Sequence, residues 1–334
     1  MKPSIKKISE ITGFSPATIS KALNHKKGIN KETSEIIFKT AEEIGYHTCS
    51  SINAIHIIFF KTIGTFLSTL SFRQLFLDGV ENIARKNNLD VKVSYLSRTD
   101  PSLKERLNYI LHDPSSAILL IGTEMYEEDY RLFQRSDGLV FIVDGKSDSM
   151  LFPSVSLNNV GTGKRAVQYL IQNGHQNIGF IRSFERINAF VEREIGVRDE
   201  LARNGLALKD SHIISLPESK NQCGQVLKDF FQSQPEADRP TAFIADCEMM
   251  AIYALNALNE CKIQVPKDVS IIGIDAAFPG DFTSPPLTTF DTHLQELGVL
   301  AAELIIQYIQ QKCTIPIHIL TDPELIERES VFHL

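Results

Sequence analysis

The stretch that decides the fold is residues 4–46, SIKKISEITGFSPATISKALNHKKGINKETSEIIFKTAEEIGY. Its apolar residues recur every three or four positions in three short segments, which predicts three amphipathic helices. In the first segment Ile5, Ile8 and Ile11 follow helical spacing, and Gly13 stands where a left-handed C-terminal cap is expected. We therefore expect a small three-helix head at this end of the chain.

The second and third segments carry their own start and stop signals. Ser15 and Pro16 combine a capping hydroxyl with a proline at the first helical position, where its missing N–H costs nothing. Asn30 is a good N-cap for the third helix, and Gly45 ends it. The residues expected to face inward are Ile19, Ala22 and Leu23, then Ile36, Ile37, Ala41 and Ile44. This order of elements is the layout of a helix-turn-helix domain.

The outer face of the second helix suits a DNA major groove, because it is small and polar. Pro16 and Ala17 at its tip can touch thymine methyl groups, and Lys21 can reach a guanine edge or a phosphate. The residues that can donate to phosphates are Ser15, Thr18, Ser20 and Asn24. Periodicity alone also fits a three-helix domain that binds protein or nothing, and that alternative stays open at this point.

Charge is unevenly distributed along the chain. Residues 1–50 hold eight lysines, no arginine and five acidic residues, a net charge of +3, which leaves −10 for the remainder of a chain whose total is −7. A basic head on an acidic body is expected where only one end touches phosphates.

The bulk composition predicts a packed protein of two or three folding units. The chain has 334 residues, of which 43% are hydrophobic and 22% charged. Its five cysteines form no CxxC pair, so we expect reduced thiols in a cytoplasmic protein with no metal and no cofactor. Because no window is apolar over a membrane's thickness, and the N-terminus lacks a signal-peptide pattern, we expect no membrane segment.

Beyond the head, short apolar runs alternate with amphipathic helical stretches. This alternation predicts an α/β fold of parallel sheets flanked by helices, and about nine strands over this length indicate two lobes. The candidate strands are 55–60, 91–95, 117–121, 139–143, 155–157, 178–181, 213–216, 242–245 and 270–274. The clearest helical patterns are 72–87, 160–173, 187–204 and 249–261.

Residues 4–46 resemble the DNA-binding head of the LacI/GalR family of bacterial transcription regulators. Matching phrases continue through the core as NNVGTGKRAVQYLIQNGHQNIGFI, EREIGVRDELARNGL, PTAFIADCEMMAIYALNALNECKIQVPKDVSIIGIDAAF and SPPLTTFDTHLQELGVLAAELIIQYI. The resemblance covers essentially the whole chain and implies a dimeric repressor with a periplasmic-binding-protein-like core. It places base-reading roles on Pro16, Ala17 and Lys21, and phosphate contacts on Thr18, Ser20 and Asn24.

The resemblance also implies the domain boundaries. We expect a helix-turn-helix domain at 1–46, a shortened linker at 47–54 and an effector-binding and dimerisation core at 55–334. Within the core, the first lobe would span about 55–157 and 291–318, and the second about 158–290 and 319–334. In the family a hinge helix, whose leucine wedges into the minor groove, follows the Gly-Tyr step. Here HTCSSINA is too short and lacks leucine and arginine, so we expect that helix to be lost rather than replaced.

Charged residues at predicted strand ends form the candidate ligand site, because ligands bind at the carboxyl ends of parallel strands. Arg193 falls at the family's effector-contacting arginine, and Asp275 falls at its hydroxyl acceptor. Asp246 and Asp144 end two further strands. Each aspartate can instead cap a helix or a turn.

Aromatic residues are the second part of the predicted site. Phe72 and Arg73 fall where the family places ring-stacking ligand contacts, and Phe190 and Phe278 are further walls or core residues. Two arginines facing one cleft, Arg73 and Arg193, would favour an anionic ligand such as a sugar phosphate.

Two other classes of protein fit the sequence less well. An enzyme is disfavoured because no local motif pairs a nucleophile with a base, and GTGKRA at 161–166 departs from the phosphate-loop pattern. A periplasmic binding protein would carry a signal peptide and lack the head. We therefore predict a homodimeric, non-enzymatic repressor that binds operator DNA and a sugar or sugar phosphate. The sign of the control, the ligand's identity and a partner protein as co-effector stay open.

Overall fold

The computed structural model describes residues 5–23, 29–44, 52–62, 70–149, 151–217, 220–275, 283–311, 313 and 315–334. The predicted loss of the hinge helix falls on the linker, of which only residues 52–54 are among those described. There the chain already enters the first strand of the core at Ala54.

The head contains three short helices, α1 (Ile5–Thr12), α2 (Pro16–Leu23) and α3 (Lys31–Glu43). The predicted caps are present: the Thr18 N–H donates to Ser15 Oγ at 3.1 Å, and the Thr33 N–H donates to Asn30 Oδ1 at 2.7 Å. Gly13 has the left-handed φ of +72° that a C-terminal cap uses. The buried centre of the head consists of Ile8, Ile19, Ala22, Leu23, Ile37 and Ala41.

Ile36, which is predicted to be buried in the head, is exposed, and so is Ile11 of the first helical pattern. Ile11 is 52% exposed and Ile36 is 45% exposed. With 3.6 residues per turn, Ile11 lies about 120° around the helix from Ile5, and Ile36 lies about 100° from the buried Ile37. A helix of this size turns only one stripe toward a small core, so apolar spacing alone overestimated the buried face.

The core follows with alternating strands and helices. Its first half contains β1 (Ala54–Lys61), α4 (Leu70–Lys86), β2 (Asp90–Ser97), α5 (Leu103–Leu111), β3 (Ser116–Ile121), α6 (Glu127–Arg131), β4 (Val140–Val143) and β5 (Ser154–Leu157). Then come α7 (Asn159–Gln172), β6 (Ile178–Ser183), α8 (Asn188–Arg203), β7 (Ile213–Leu216), α9 (Lys220–Ser233), β8 (Ala242–Ala245), α10 (Glu248–Glu260) and β9 (Ser270–Ile272). The chain closes with β10 (Thr289–Asp291), α11 (Leu294–Gln311), β11 (His318–Thr321) and β12 (Glu324–Ile326).

These strands form two main parallel sheets, one in each lobe. The first sheet has the order β11-β5-β4-β3-β1-β2, and the second has the order β7-β6-β8-β9. A small antiparallel pair, β10 with β12, lies beside the second sheet, to which Thr288 is bridged through Ile272. The predicted α/β fold with flanked parallel sheets is confirmed.

All nine predicted strands are present, but three strands near the C-terminus were not predicted. These are β10, β11 and β12. The strand β11 pairs along its whole length with β5 of the first sheet. The predicted boundary at residue 318 would divide this strand, so in the structure the first lobe extends to Thr321. The partner of β11, strand β5, is distant in sequence, and this long-range pairing fixes the position of β11 in the sheet.

Glycines bring two helix pairs into backbone contact. On α7 and α8, a Cβ on Gly163 would collide with the Arg193 carbonyl, and a Cβ on Gly196 would collide with the Val160 carbonyl. In the first lobe, Gly79 of α4 is equally close to the Gln295 carbonyl of α11. The close pairing of α7 with α8 matters for function, because these two helices begin at the cleft and carry Asn159 and Arg193.

Candidate DNA interface and ligand cleft

The outer face of α2 is the candidate DNA interface. Pro16, Ala17 and Lys21 are exposed, and Thr18 and Ser20 are half-buried. The inward face of the same helix consists of Ile19, Ala22 and Leu23. The helix therefore holds its small polar face outward on a rigid support, as a groove-binding helix requires.

Ser15 caps the start of α2. Its hydroxyl accepts the Thr18 N–H and lies 2.8 Å from the Thr18 hydroxyl, so both groups take part in the cap. The DNA contacts predicted for Ser15 and Thr18 stay predictions, and Asn24 lies outside the described residues.

Arg193 on α8 is the centre of the candidate ligand cleft. The residue is 3% exposed, and its Nη1 and Nη2 donate to the two carboxylate oxygens of Asp275 at 2.7 and 2.8 Å. Its Nε donates to Asn159 Oδ1 at 3.0 Å, and Nη1 also donates to the Asp246 carbonyl at 2.7 Å. Burial opposes the charge, but the Asp275 carboxylate holds the pKa of Arg193 above its ordinary value. This cluster joins the starts of α7 and α8 to the ends of β8 and β9.

Asp246 directly follows β8 and is fully buried. Its Oδ2 accepts the Ser183 N–H and Arg186 Nη1, both at 2.8 Å, while its buried Oδ1 has no hydrogen-bond partner among the described residues. Burial raises the pKa of Asp246 to about 6 against the opposing effects of Ser183 and Arg186. An orphaned buried oxygen at a strand end is a place where a ligand donor gains most.

Asp144 ends β4 on the first-lobe side. Its Oδ2 accepts the Thr123 hydroxyl at 2.5 Å. Burial, reinforced by the Asp275 charge and opposed by the Thr123 hydrogen bond, raises the pKa of Asp144 to about 6. Asp144 and Asp275 have left-handed φ values of 50° and 79°, which non-glycine residues adopt at some cost and which are frequent at binding sites.

A cavity of about 370 Å³ adjoins this cluster. It is bounded by the ends of β3 and β4, by β5 and β11, and by the start of α8, so both lobes contribute to its wall. Its lining includes Asp144, Phe152, Asn158, Asn159, Glu192 and His318. The volume is in the range of small-molecule sites.

The structure does not place the two predicted first-lobe ligand contacts, Phe72 and Arg73, at the cavity. The Phe72 side chain lies outside the described residues. Arg73 Nη1 donates to the Tyr95 hydroxyl at 3.4 Å, and its guanidinium lies 5.7 Å from the centre of the Tyr95 ring. Arg73 does not line the cavity, so nothing described brings it together with Arg193. Its role in ligand binding stays a prediction.

Of the two further aromatic residues, Phe278 lies outside the described residues. Phe190 is buried, and the Arg193 guanidinium lies 5.6 Å from the centre of its ring. This contact gives Phe190 a supporting position under Arg193.

Sequence reasoning missed several polar residues of the cleft. These are Thr123, Asn159, Arg186 and Glu192. Thr123 follows β3, and Asn159 follows β5, so the strand-end rule that found the aspartates applies to them as well. Nothing in the local sequence marks Glu192, whose cavity position depends on how α8 docks on the first lobe.

Within the described part of the chain, no group of three or more His, Cys, Asp or Glu residues has an arrangement that could hold a metal ion. None of the described helices combines the length and apolar character needed to cross a membrane.

Comparisons with known proteins agree with the geometry. The periplasmic binding protein-like domain family matches residues 167–331. The chain is 25% identical to the HTH-type transcriptional repressor PurR of Aliivibrio fischeri strain MJ11, over 98% of both chains. Among solved structures it is similar to a transcriptional regulator CelR–cellobiose complex, with TM-score 0.71, 19% identity and coverage of 98% of this chain and 100% of that one. A lac repressor dimer bound to operator and the anti-inducer ONPF has TM-score 0.67, 19% identity and coverage of 99% and 100%.

The structure combines a three-helix head with two parallel sheets and a cleft at their strand ends, and the periplasmic binding protein-like domain family matches the chain from residue 167 to residue 331. Over nearly its whole length the chain is similar to proteins named as HTH-type transcriptional regulators and repressors, and it shares the fold of the solved lac repressor.

Proposed function

We propose that the protein is a homodimeric repressor that binds operator DNA through residues 1–46. Its affinity for the operator would rise or fall when a small ligand binds the core. The observation that carries the proposal is the head itself. Its second helix is capped, packed on one face and exposed on the other, with Lys21 outward. A solved relative of the same fold is described as a dimer bound to operator, which supports the same use of the fold here.

We infer that the ligand is a sugar or a sugar phosphate bound between the lobes. Support comes from the buried cluster of Arg193, Asp246 and Asp275 and from Asp144 across the cleft, since fixed donors and acceptors of this kind suit hydroxyl groups. One structural relative is described in complex with cellobiose, and another with an anti-inducer. The linker at 47–54 and the lobes on either side of the cleft would carry the signal to the head.

The first lobe offers a surface for the dimer. Strand β2 is the edge of the first sheet, and its residues Val93 and Tyr95 are each 41% exposed. Leu75 of α4 is 37% exposed. Exposed apolar side chains at a sheet edge suit pairing with a second copy. Two heads held at a fixed spacing would then read two half-sites, in the cytoplasm where the DNA lies.

The test is selection of preferred sequences from a random DNA pool, followed by fluorescence anisotropy on the selected duplex. We expect a two-fold symmetric sequence, and Lys21→Ala should weaken its binding by about 10-fold, which corresponds to about 1.4 kcal/mol. Lys39→Ala, at an exposed lysine of α3, is the matched control. Failure to enrich any sequence, or equal losses in the two variants, would contradict the proposal.

A further inference from the structure

The cavity beside the Arg193 cluster carries two carboxylates without a matching cation. Asp144 accepts the Thr123 hydroxyl at 2.5 Å through Oδ2, and Glu192 accepts Asn159 Nδ2 at 3.2 Å through Oε2. Among the described residues, neither Asp144 nor Glu192 has a cationic group within salt-bridge distance. The other oxygen of each carboxylate accepts no hydrogen bond from any residue that the structure describes.

The cations around the cavity do not offset this charge. Arg193 lies behind Asn159, outside the lining, and its charge is matched by the bidentate pair with Asp275. Lys146 lines the cavity but is exposed, so water and salt screen its charge. The inner wall, by contrast, holds Asp144 in a half-buried position where screening is weaker.

The rest of the lining suits a ring that bears hydroxyl groups. Phe152 and Leu157 supply apolar surface, and Asn158 and Asn188 supply amide groups. Carboxylates accept hydrogen bonds from hydroxyl groups strongly, whereas they repel a phosphate, which carries a charge of about −1.5 to −2 at pH 7.

We propose that this cavity receives the effector, and that Asp144 and Glu192 make it selective for an uncharged polyhydroxyl compound against the phosphate ester of the same compound. The inference rests on the proposed ligand control and narrows it from sugars and sugar phosphates to neutral sugars. Glu192 thereby becomes a specificity-determining residue of the cleft, contributed by α8 of the second lobe.

The experiment compares matched pairs on the full-length protein by titration calorimetry at pH 7.5. The probes are ribose with ribose 5-phosphate, glucose with glucose 6-phosphate, and fructose with fructose 6-phosphate. In at least one pair the neutral member should bind, and its ester should bind at least about 10-fold more weakly, or about 1.4 kcal/mol. Operator anisotropy in the presence of each compound shows which ones control DNA binding.

Variants assign the selectivity to the two carboxylates. In Asp144→Asn/Glu192→Gln the preference for the neutral member should fall to within about 3-fold, which corresponds to about 0.65 kcal/mol. The isosteric Glu192→Gln alone should produce part of this change, and it serves if the double variant does not fold. Asp199→Asn is the matched control, since Asp199 lies on the same helix, is 53% exposed and pairs with Lys164.

The outcomes separate this inference from the proposed function. If a phosphate ester binds as tightly as its sugar and changes operator affinity, the inference is wrong, but ligand control of DNA binding still holds. Loss of ester binding in Lys146→Gln would then identify Lys146 as the residue that contacts the phosphate. A neutral preference unchanged in both carboxylate variants would also overturn it. If no member of any pair binds or affects operator affinity, the inference falls together with the sugar ligand.

Discussion

The ion pair between Arg193 and Asp275 gives the sharpest test of how the cleft is built. Arg193→Met keeps the length of the side chain but removes four hydrogen bonds, two to Asp275, one to Asn159 and one to the Asp246 carbonyl. Breaking a buried pair costs about 3–5 kcal/mol, because the remaining charge is left without a partner. The Asp275 side chain is 27% exposed and regains some water, so we expect a loss of about 2–4 kcal/mol in the free energy of unfolding.

The assay is urea unfolding, followed by circular dichroism and by tyrosine fluorescence, since the chain has eight tyrosines and no tryptophan. Asp275→Asn should also destabilise the protein, because it leaves the Arg193 charge buried and unpaired. The double variant Arg193→Met/Asp275→Asn should cost less than the sum of the two single changes by at least about 1 kcal/mol. Additivity within about 0.5 kcal/mol would refute the coupling. Arg193→Met should also abolish the response of operator binding to ligand while the head still binds DNA.

Three further predictions concern the caps, the helix pairing and the buried carboxylate. Ser15→Ala should destabilise the head by about 1 kcal/mol, because the Thr18 N–H loses the Ser15 hydroxyl that caps α2. Unchanged hydrogen-exchange protection of the amides in the head would contradict this. Gly196→Ala should cost at least about 2 kcal/mol in urea unfolding, because its Cβ meets the backbone of α7, and a neutral result would mean that the helices separate freely. Asp246 has its folded-state pKa raised to about 6 from 3.8, so the folded state binds the extra proton between these values and stability should fall as pH rises from 4 toward 7. Asp246→Asn should flatten this dependence by about 1–3 kcal/mol, and an unchanged pH profile would contradict the raised pKa.

Local signals predicted the head and most of the core. The caps at Ser15 and Asn30 and the left-handed Gly13 each depend on a few neighbouring residues, so the sequence shows them directly. The buried strands of the two sheets are apolar runs of neighbouring residues, so the sequence shows them directly as well. Strand β11 has an exposed, alternating pattern and is fixed by pairing with β5, which lies far away in the chain, so no local signal reveals it.

The candidate site was predictable only in part. Arg193 and Asp275 stood out through their charge and their place at strand ends, and the structure joins them although 82 positions separate them. Glu192 depends on the docking of α8 against the first lobe, which is a tertiary property. The side chain of Phe72 lies outside the described residues. Arg73 contacts Tyr95, and the structure shows no described contact between Arg73 and the Arg193 cluster.

Coupling between operator binding and ligand binding in one chain is measured most directly by a thermodynamic cycle. Ligand affinity is measured by calorimetry with and without the selected operator duplex, and operator affinity is measured by anisotropy with and without saturating ligand. We expect ligand and operator to change each other's affinity by the same factor, about 5- to 150-fold, and Arg193→Met to remove this coupling. Ligand and operator affinities that are independent of each other would contradict it.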